Sequence, residues 1–213
     1  MYELDLVLGG NVPPTITTQP ISQSVKQGTN ATFTVGVSGT APFAYQWRLN
    51  GADISGATAS SYTRANVQPA DAGTYSVVVT NAYGMATSSG ALLTVVVPPT
   101  ITTQPLSQTV TQGQNATFTV AASGTAPFTY QWRFNGAPIG GATASSYTRS
   151  NVQLSDAGDY SVVVANSAGS DTSAKAVLTV VVPPVPPAIT TQPQGQTVVL
   201  GETAAFNVVA TGG

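Results

Sequence analysis

The sequence predicts an all-β protein built of tandem two-layer sandwiches, and three observations carry that prediction. A long internal repeat runs through the chain, the hydrophobic pattern within each repeat has a period of two residues, and Gly, Pro and Asn-Gly signals cut it into short segments. Pro14-Thr-Ile-Thr-Thr-Gln-Pro20 returns as Pro99-Thr-Ile-Thr-Thr-Gln-Pro105, and again from Pro187 to Pro193 with Ala188 in place of the first Thr. The first offset, 85 residues, also links Trp47 to Trp132, Asp71 to Asp156 and Tyr75 to Tyr160. Residues 14–98 and 99–183 differ at only 22 positions, so one repeat is one domain and the duplication is recent. The second offset is 88 because Pro183-Pro-Val-Pro-Pro187 is three residues longer than the Pro98-Pro99 joint. Proline-rich joints favour extended polyproline geometry and limited flexibility.

This spacing divides the chain into residues 1–13, read as a leader or the end of a preceding module, a first domain over 14–97 and a second over 98–182. A Pro-rich linker over 183–187 leads to a truncated third copy over 188–213, which supplies opening strands and stops before any Trp.

Within the first repeat, Ala31, Phe33, Val35 and Val37 alternate with Thr and Gly, and Phe43, Tyr45, Trp47 and Leu49 alternate with Ala44, Gln46 and Arg48. Both patterns predict half-buried strands. Asn50-Gly51, with Asn135-Gly136 in the second copy, predicts a tight hairpin, because both residues tolerate positive φ. A stretch over 60–64 follows, then Asp71-Ala-Gly-Thr-Tyr75, then Val77 and Val79 facing inward, a turn over 81–84, and Leu93 and Val95 closing the domain. About seven short strands per repeat with no helical pattern point to a sandwich of the roughly 100-residue class.

Composition narrows the function. Charged residues make up 7% of the chain and the net charge is -2, so no basic stripe exists to attract nucleic acid or an anionic membrane. The chain has no Cys and no His, which removes disulfides, thiolate metal sites, cysteine nucleophiles and the commonest general base and metal ligand. The longest apolar run, 91–97, is far short of the ~20 residues of a membrane helix, and the N-terminal residues lack a basic signal-peptide region.

Taken together, Gly28-x-x-Ala-x-Phe-x-Val35, Trp47 twelve residues later and Asp71-x-Gly-x-Tyr-x-Val77 resemble the immunoglobulin superfamily. The second copy repeats these marks over 113–120, at Trp132 and over 156–162, and Gly201, Ala204, Phe206 and Val208 begin them a third time. The pattern is closest to the I-set branch and to the cysteine-free copies of large bacterial surface and secreted proteins. The resemblance implies tandem Greek-key β-sandwiches with Trp47 and Trp132 at the core. It also implies that Val35 facing Val77, and Val120 facing Val162, replace the inter-sheet disulfide. Such a disulfide contributes about 4 kcal/mol in the chain-entropy model, a sum that burying these valines at roughly 1.5–3 kcal/mol each can match. Tyr75 and Tyr160 would then form tyrosine corners.

Arg64 and Arg149 stand where the family pattern has an apolar residue. Each lies seven residues before an Asp, so Arg64 is expected to pair with Asp71 and Arg149 with Asp156. No paired carboxylates, metal cluster or phosphate loop repeats between the copies, so no catalytic residue, metal site or cofactor is expected. The sequence therefore predicts a structural spacer in a larger bacterial extracellular or cell-surface protein. Its partners would be neighbouring domains of that protein, with no nucleic acid and no membrane insertion. The alternative is an adhesin or carbohydrate-binding module recognising a cell-surface glycan or protein. Gln46, Arg48, Gln131 and Arg133, outward by strand alternation, are the candidate ligand face, and Tyr83 is an exposed aromatic that the second copy replaces with Ala168.

Overall fold

A computed structural model describes residues 10–212; the reading of the first nine residues lies outside them. The first repeat folds as β1 (Thr15–Thr18), β2 (Gln23–Lys26), β3 (Ala31–Thr34), β4 (Gly36–Ser38), β5 (Ala44–Leu49), β6 (Ala52–Asp53), β7 (Ser61–Arg64), β8 (Gly73–Asn81), β9 (Gly84–Thr87) and β10 (Ala91–Val96). The second repeats the order as β11 (Thr100–Thr103), β12 (Gln108–Thr111), β13 (Ala116–Thr119), β14 (Ala121–Ser123), β15 (Thr129–Phe134), β16 (Ala137–Pro138), β17 (Ser146–Arg149), β18 (Gly158–Asn166), β19 (Gly169–Thr172) and β20 (Ala176–Val181). β21 (Ala188–Thr191) and β22 (Val209–Thr211) follow.

In each repeat one layer runs β2-β10-β8-β5-β6, with β9 also paired to β8; its counterpart is β12-β20-β18-β15-β16 with β19 on β18. The other layer joins β1 to β4 and β3 to β7, as β11 to β14 and β13 to β17. Neighbours in space are seldom neighbours in sequence, as a Greek key requires.

The ten segments are about seven passes of the chain. β1 and β2 form one pass that changes layers at the buried Pro20, β3 and β4 one pass interrupted at Val35, and β9 and β10 one pass interrupted around Ser88. Val35 turns its N–H to the Ser60 carbonyl at 3.0 Å, and so leaves the regular ladder. Ser88 is buried, yet its Oγ accepts the Val77 N–H at 3.0 Å and donates to the Ser89 carbonyl at 2.9 Å, so its hydroxyl is paired on both sides.

Asn50 and Gly51 adopt φ 50° and 85° between β5 and β6, the two positive values of a type I′ hairpin. The sequence pattern missed a single 3-10 turn over Pro69–Asp71, matched by Leu154–Asp156, because three residues are too few to show a period. It also missed Val67 and Val152, which are fully buried from loops that bridge the two layers.

Alternation sorts the side chains as expected over β3, and over β8 except at Val78, which is buried along with its neighbours. Ala31, Phe33, Val77 and Val79 are buried in the first repeat, and Ala116, Phe118, Val162 and Val164 in the second. Phe33 stacks on Tyr75 at 4.5 Å between ring centroids, and Phe118 on Tyr160 at 4.6 Å. Such aromatic pairs add about 0.5–1.5 kcal/mol beyond the area they bury.

Candidate functional site

Each sandwich has a polar knot at its base. The strand β7 ends at Arg64, the 3-10 turn ends at Asp71, and Tyr75 lies four residues on in β8. Arg64 Nη2 lies 2.8 Å from Asp71 Oδ1, and the Gln68 N–H donates to Asp71 Oδ2 at 2.8 Å. The Tyr75 hydroxyl donates to the Asp71 carbonyl at 2.9 Å, the geometry of a tyrosine corner. Arg149, Gln153, Asp156 and Tyr160 repeat these contacts at 2.9, 2.8 and 3.0 Å. Burial opposes ionisation of Asp71 and Asp156, but the Gln backbone N–H and the arginine guanidinium outweigh it and hold both carboxyls below the usual carboxylate range. Burial, reinforced by the Asp156 charge, pushes the Tyr160 phenol up to about 12. Both carboxylate oxygens of Asp71 and of Asp156 are engaged, so the knot ties the end of β7 or β17, the 3-10 turn and the following long strand together.

Above the knot, Trp47 and Trp132 are fully buried, and each indole N–H donates at 2.9 Å to a backbone carbonyl, of Ala59 and Ala144 respectively. Tyr62 covers Trp47 at a centroid distance of 6.3 Å, and Tyr147 covers Trp132 at 6.2 Å. Val35 and Val77 lie buried in the same cluster as Trp47, and Val120 and Val162 in that of Trp132. A sequence motif marked these positions. Ala57 and Ala142, which pass their carbonyls to the tryptophan backbone N–H at 3.0 Å, carry no such signal.

The four residues read as an outward face do not act alike. Gln46 Nε2 donates to the Trp47 and Ile54 carbonyls, both at 2.8 Å, and Gln131 repeats this with Trp132 and Ile139 at 2.9 Å. Both glutamines are half-buried and bind the hairpin onto its own sheet. Arg48 Nε meets Asp53 Oδ1 at 2.6 Å across that hairpin. Arg133 faces Pro138 instead, and its Nε is buried without a hydrogen-bond partner. A second surface pair, Lys175 with Asp159 at 2.8 Å, exists only in the second repeat, where the first has Gly90 and Thr74. Strand alternation assigned a side to these residues, but it could not show which were already engaged.

A shallow recess of about 250 Å³ opens beside the second knot, lined by Phe134, Ile139, Tyr147, Arg149, Asp156 and Tyr160. Its polar groups are those of the knot. Among the described residues no three acidic side chains gather as a metal site would require.

The immunoglobulin domain family matches residues 13–81 and 98–166. The muscle M-line assembly protein unc-89 of Caenorhabditis elegans is 37% identical over 191 residues, covering 80% of this chain and 2% of that protein. Endoglucanase C of Cellulomonas fimi is 31% identical over 177 residues, covering 78% of this chain and 16% of that protein. The chain thus spans a small fraction of the length of both relatives. Among solved structures, the I-band fragment I67-I69 from titin superimposes with a TM-score of 0.72 at 25% identity, covering 85% of this chain and 69% of that one.

Proposed function

The chain belongs to the immunoglobulin domain family, and from that premise we propose that its two complete repeats are a non-catalytic spacer in a larger bacterial extracellular or cell-surface protein. The observation that carries this reading is where the two copies agree. They share the tryptophan core, the Arg-Asp-Tyr knot and the hairpin glutamines, all engaged in folding. They part where a ligand would be met: Asp53 against Pro138, Tyr83 against Ala168, Gly90 against Lys175. A weak multivalent binder needs the same contacts in each linked copy, because avidity arises only when they engage together. The small share of each relative's length that this chain matches also suits modules that accompany other domains.

The partners on this reading are neighbouring domains of the parent protein. A second reading, an adhesin for a cell-surface glycan or protein, draws on the exposed Tyr83 and on Arg133 with its unpaired Nε. The test is a glycan and matrix-protein array probed with a multimer of the chain. The spacer reading expects no reproducible signal, and binding lost on replacing Arg48 and Arg133 with Ala would establish the adhesin instead.

A further inference from the structure

Val-Pro-Pro occurs at the entry to all three copies, as residues 12–14, 97–99 and 185–187. The structure shows what receives it. In the first repeat Val12 and Thr40 exchange backbone and side-chain bonds: the Val12 N–H donates to Thr40 Oγ1 at 3.1 Å, and the Thr40 N–H donates to the Val12 carbonyl at 3.0 Å. Asn81 Nδ2 donates to the same Val12 carbonyl and to that of Thr40, both at 2.8 Å.

The second repeat builds the same notch around the chain arriving from the first. The Val97 N–H donates to Thr125 Oγ1 at 2.9 Å, the Thr125 N–H donates to the Val97 carbonyl at 3.0 Å, and Asn166 Nδ2 donates to that carbonyl at 2.7 Å. A glycine makes room for the prolines. A Cβ on Gly39 or Gly124 would stand 2.7 or 2.6 Å from the carbonyl oxygen of Pro13 or Pro98, and both glycines sit at positive φ.

We infer that this Gly-Thr/Asn notch is a docking surface for the Val-Pro-Pro end of a preceding strand, and that seating it makes the joint between the complete repeats stiff. The strand β10 ends at Val96 and Val97 is already in the notch, so no free residue separates the two domains. The surfaces meet there as well, with Lys26 Nζ 3.8 Å from where a Cβ on Gly169 would stand. At the following joint β20 ends at Val181, and Val182, Pro183 and Pro184 intervene before Val185. Pro99 is buried where it enters the second repeat. This inference goes beyond the spacer reading, since a clamped joint orients the repeats whether or not they carry a ligand.

The chain has no Cys, so the full chain accepts spin labels through Ser61→Cys and Ser146→Cys, both at exposed positions. Pulsed electron resonance should give one narrow distance distribution between them. It should broaden at least about twofold in Thr125→Val/Asn166→Ala, with circular dichroism melts reporting whether both repeats remain folded. Should that variant unfold, inserting Val-Pro-Pro after Val96 reproduces the three-residue longer spacing before Val185 with the notch chemistry intact, and it should broaden the distribution equally. A broad parent distribution across this joint, or an unchanged one after the insertion, would overturn the inference.

Discussion

The second complete repeat and the segment 188–212 begin alike and end as opposites. Both open with the same motif, and β11 pairs with β14 as β21 pairs with β22, with the same register shift one residue after the Ile. Gln108 Nε2 donates to the Thr117 carbonyl at 2.6 Å, and Gln196 Nε2 donates to that of Ala205. Yet Phe118 is 1% exposed and its counterpart Phe206 is 62% exposed. Val120 and Val208 differ in the same way. The comparison separates two kinds of information. Strand pairing and local side-chain bonds are written within some 25 residues, while burial of the same phenyl ring depends on a tryptophan strand and a tyrosine strand farther along.

Hydrogen exchange should show the largest contrast. Amides over 116–120 open only with the whole repeat, so they should exchange at least about a thousandfold more slowly than those over 204–208. Equal rates in a monomeric chain would break the comparison. Next comes removal of what the short segment lacks. Trp132→Ala should cost the second repeat roughly 3–5 kcal/mol, a fall in its melting temperature of more than about 10 °C, with the first repeat's transition unmoved. A calorimetric trace with two unshifted transitions would remove Trp132 from the centre of the core.

The knot should matter less than the core. Asp156→Asn withdraws the ionised acceptor from the Gln153 N–H and Arg149, and should cost about 1–3 kcal/mol by urea unfolding. It should also change the pH dependence. Because the folded carboxyls of Asp71 and Asp156 titrate below their ordinary value, the stability they supply is complete above about pH 4 and lost as pH falls through the folded value. Asn at 156 should flatten that acid limb for the second repeat, and an unchanged limb would show that Asp156 does not set it. At the other extreme, the Tyr160 phenol is raised to about 12, so its contribution is complete below about pH 10 and is lost as pH rises toward that value. Tyr160→Phe should remove this alkaline loss, and its persistence would assign it to another group.

The smallest effect is expected where the two complete repeats differ. Pro138→Asp should recreate opposite Arg133 the pair that Arg48 makes with Asp53, adding no more than about 1 kcal/mol and fading as salt is raised. A larger, salt-independent gain would mean that the proline had strained the hairpin.

Much of this was written in the chain. Period-two alternation over Ala31 to Val35, the Asn50-Gly51 turn and the spacing of Trp47, Asp71 and Tyr75 depend on residues a few positions apart, and a linear reading sees such spacings. Pairing of Arg64 with Asp71 was also legible, since both copies keep the two residues seven apart. The polar commitments of Gln46 and Ser88, the burial of Val67 from a loop, and the notch in which Asn166 meets Val97 were not, because their partners are brought close only by the closed sandwich. The sequence by itself determined the number of repeats, the strand pattern and the tryptophan core, all set by local sterics and by which side chains avoid water. Only the tertiary structure decided which polar side chains were already satisfied and which joint was clamped, because a hydrogen bond of about 3 Å between residues 69 positions apart exists only once both layers are in place.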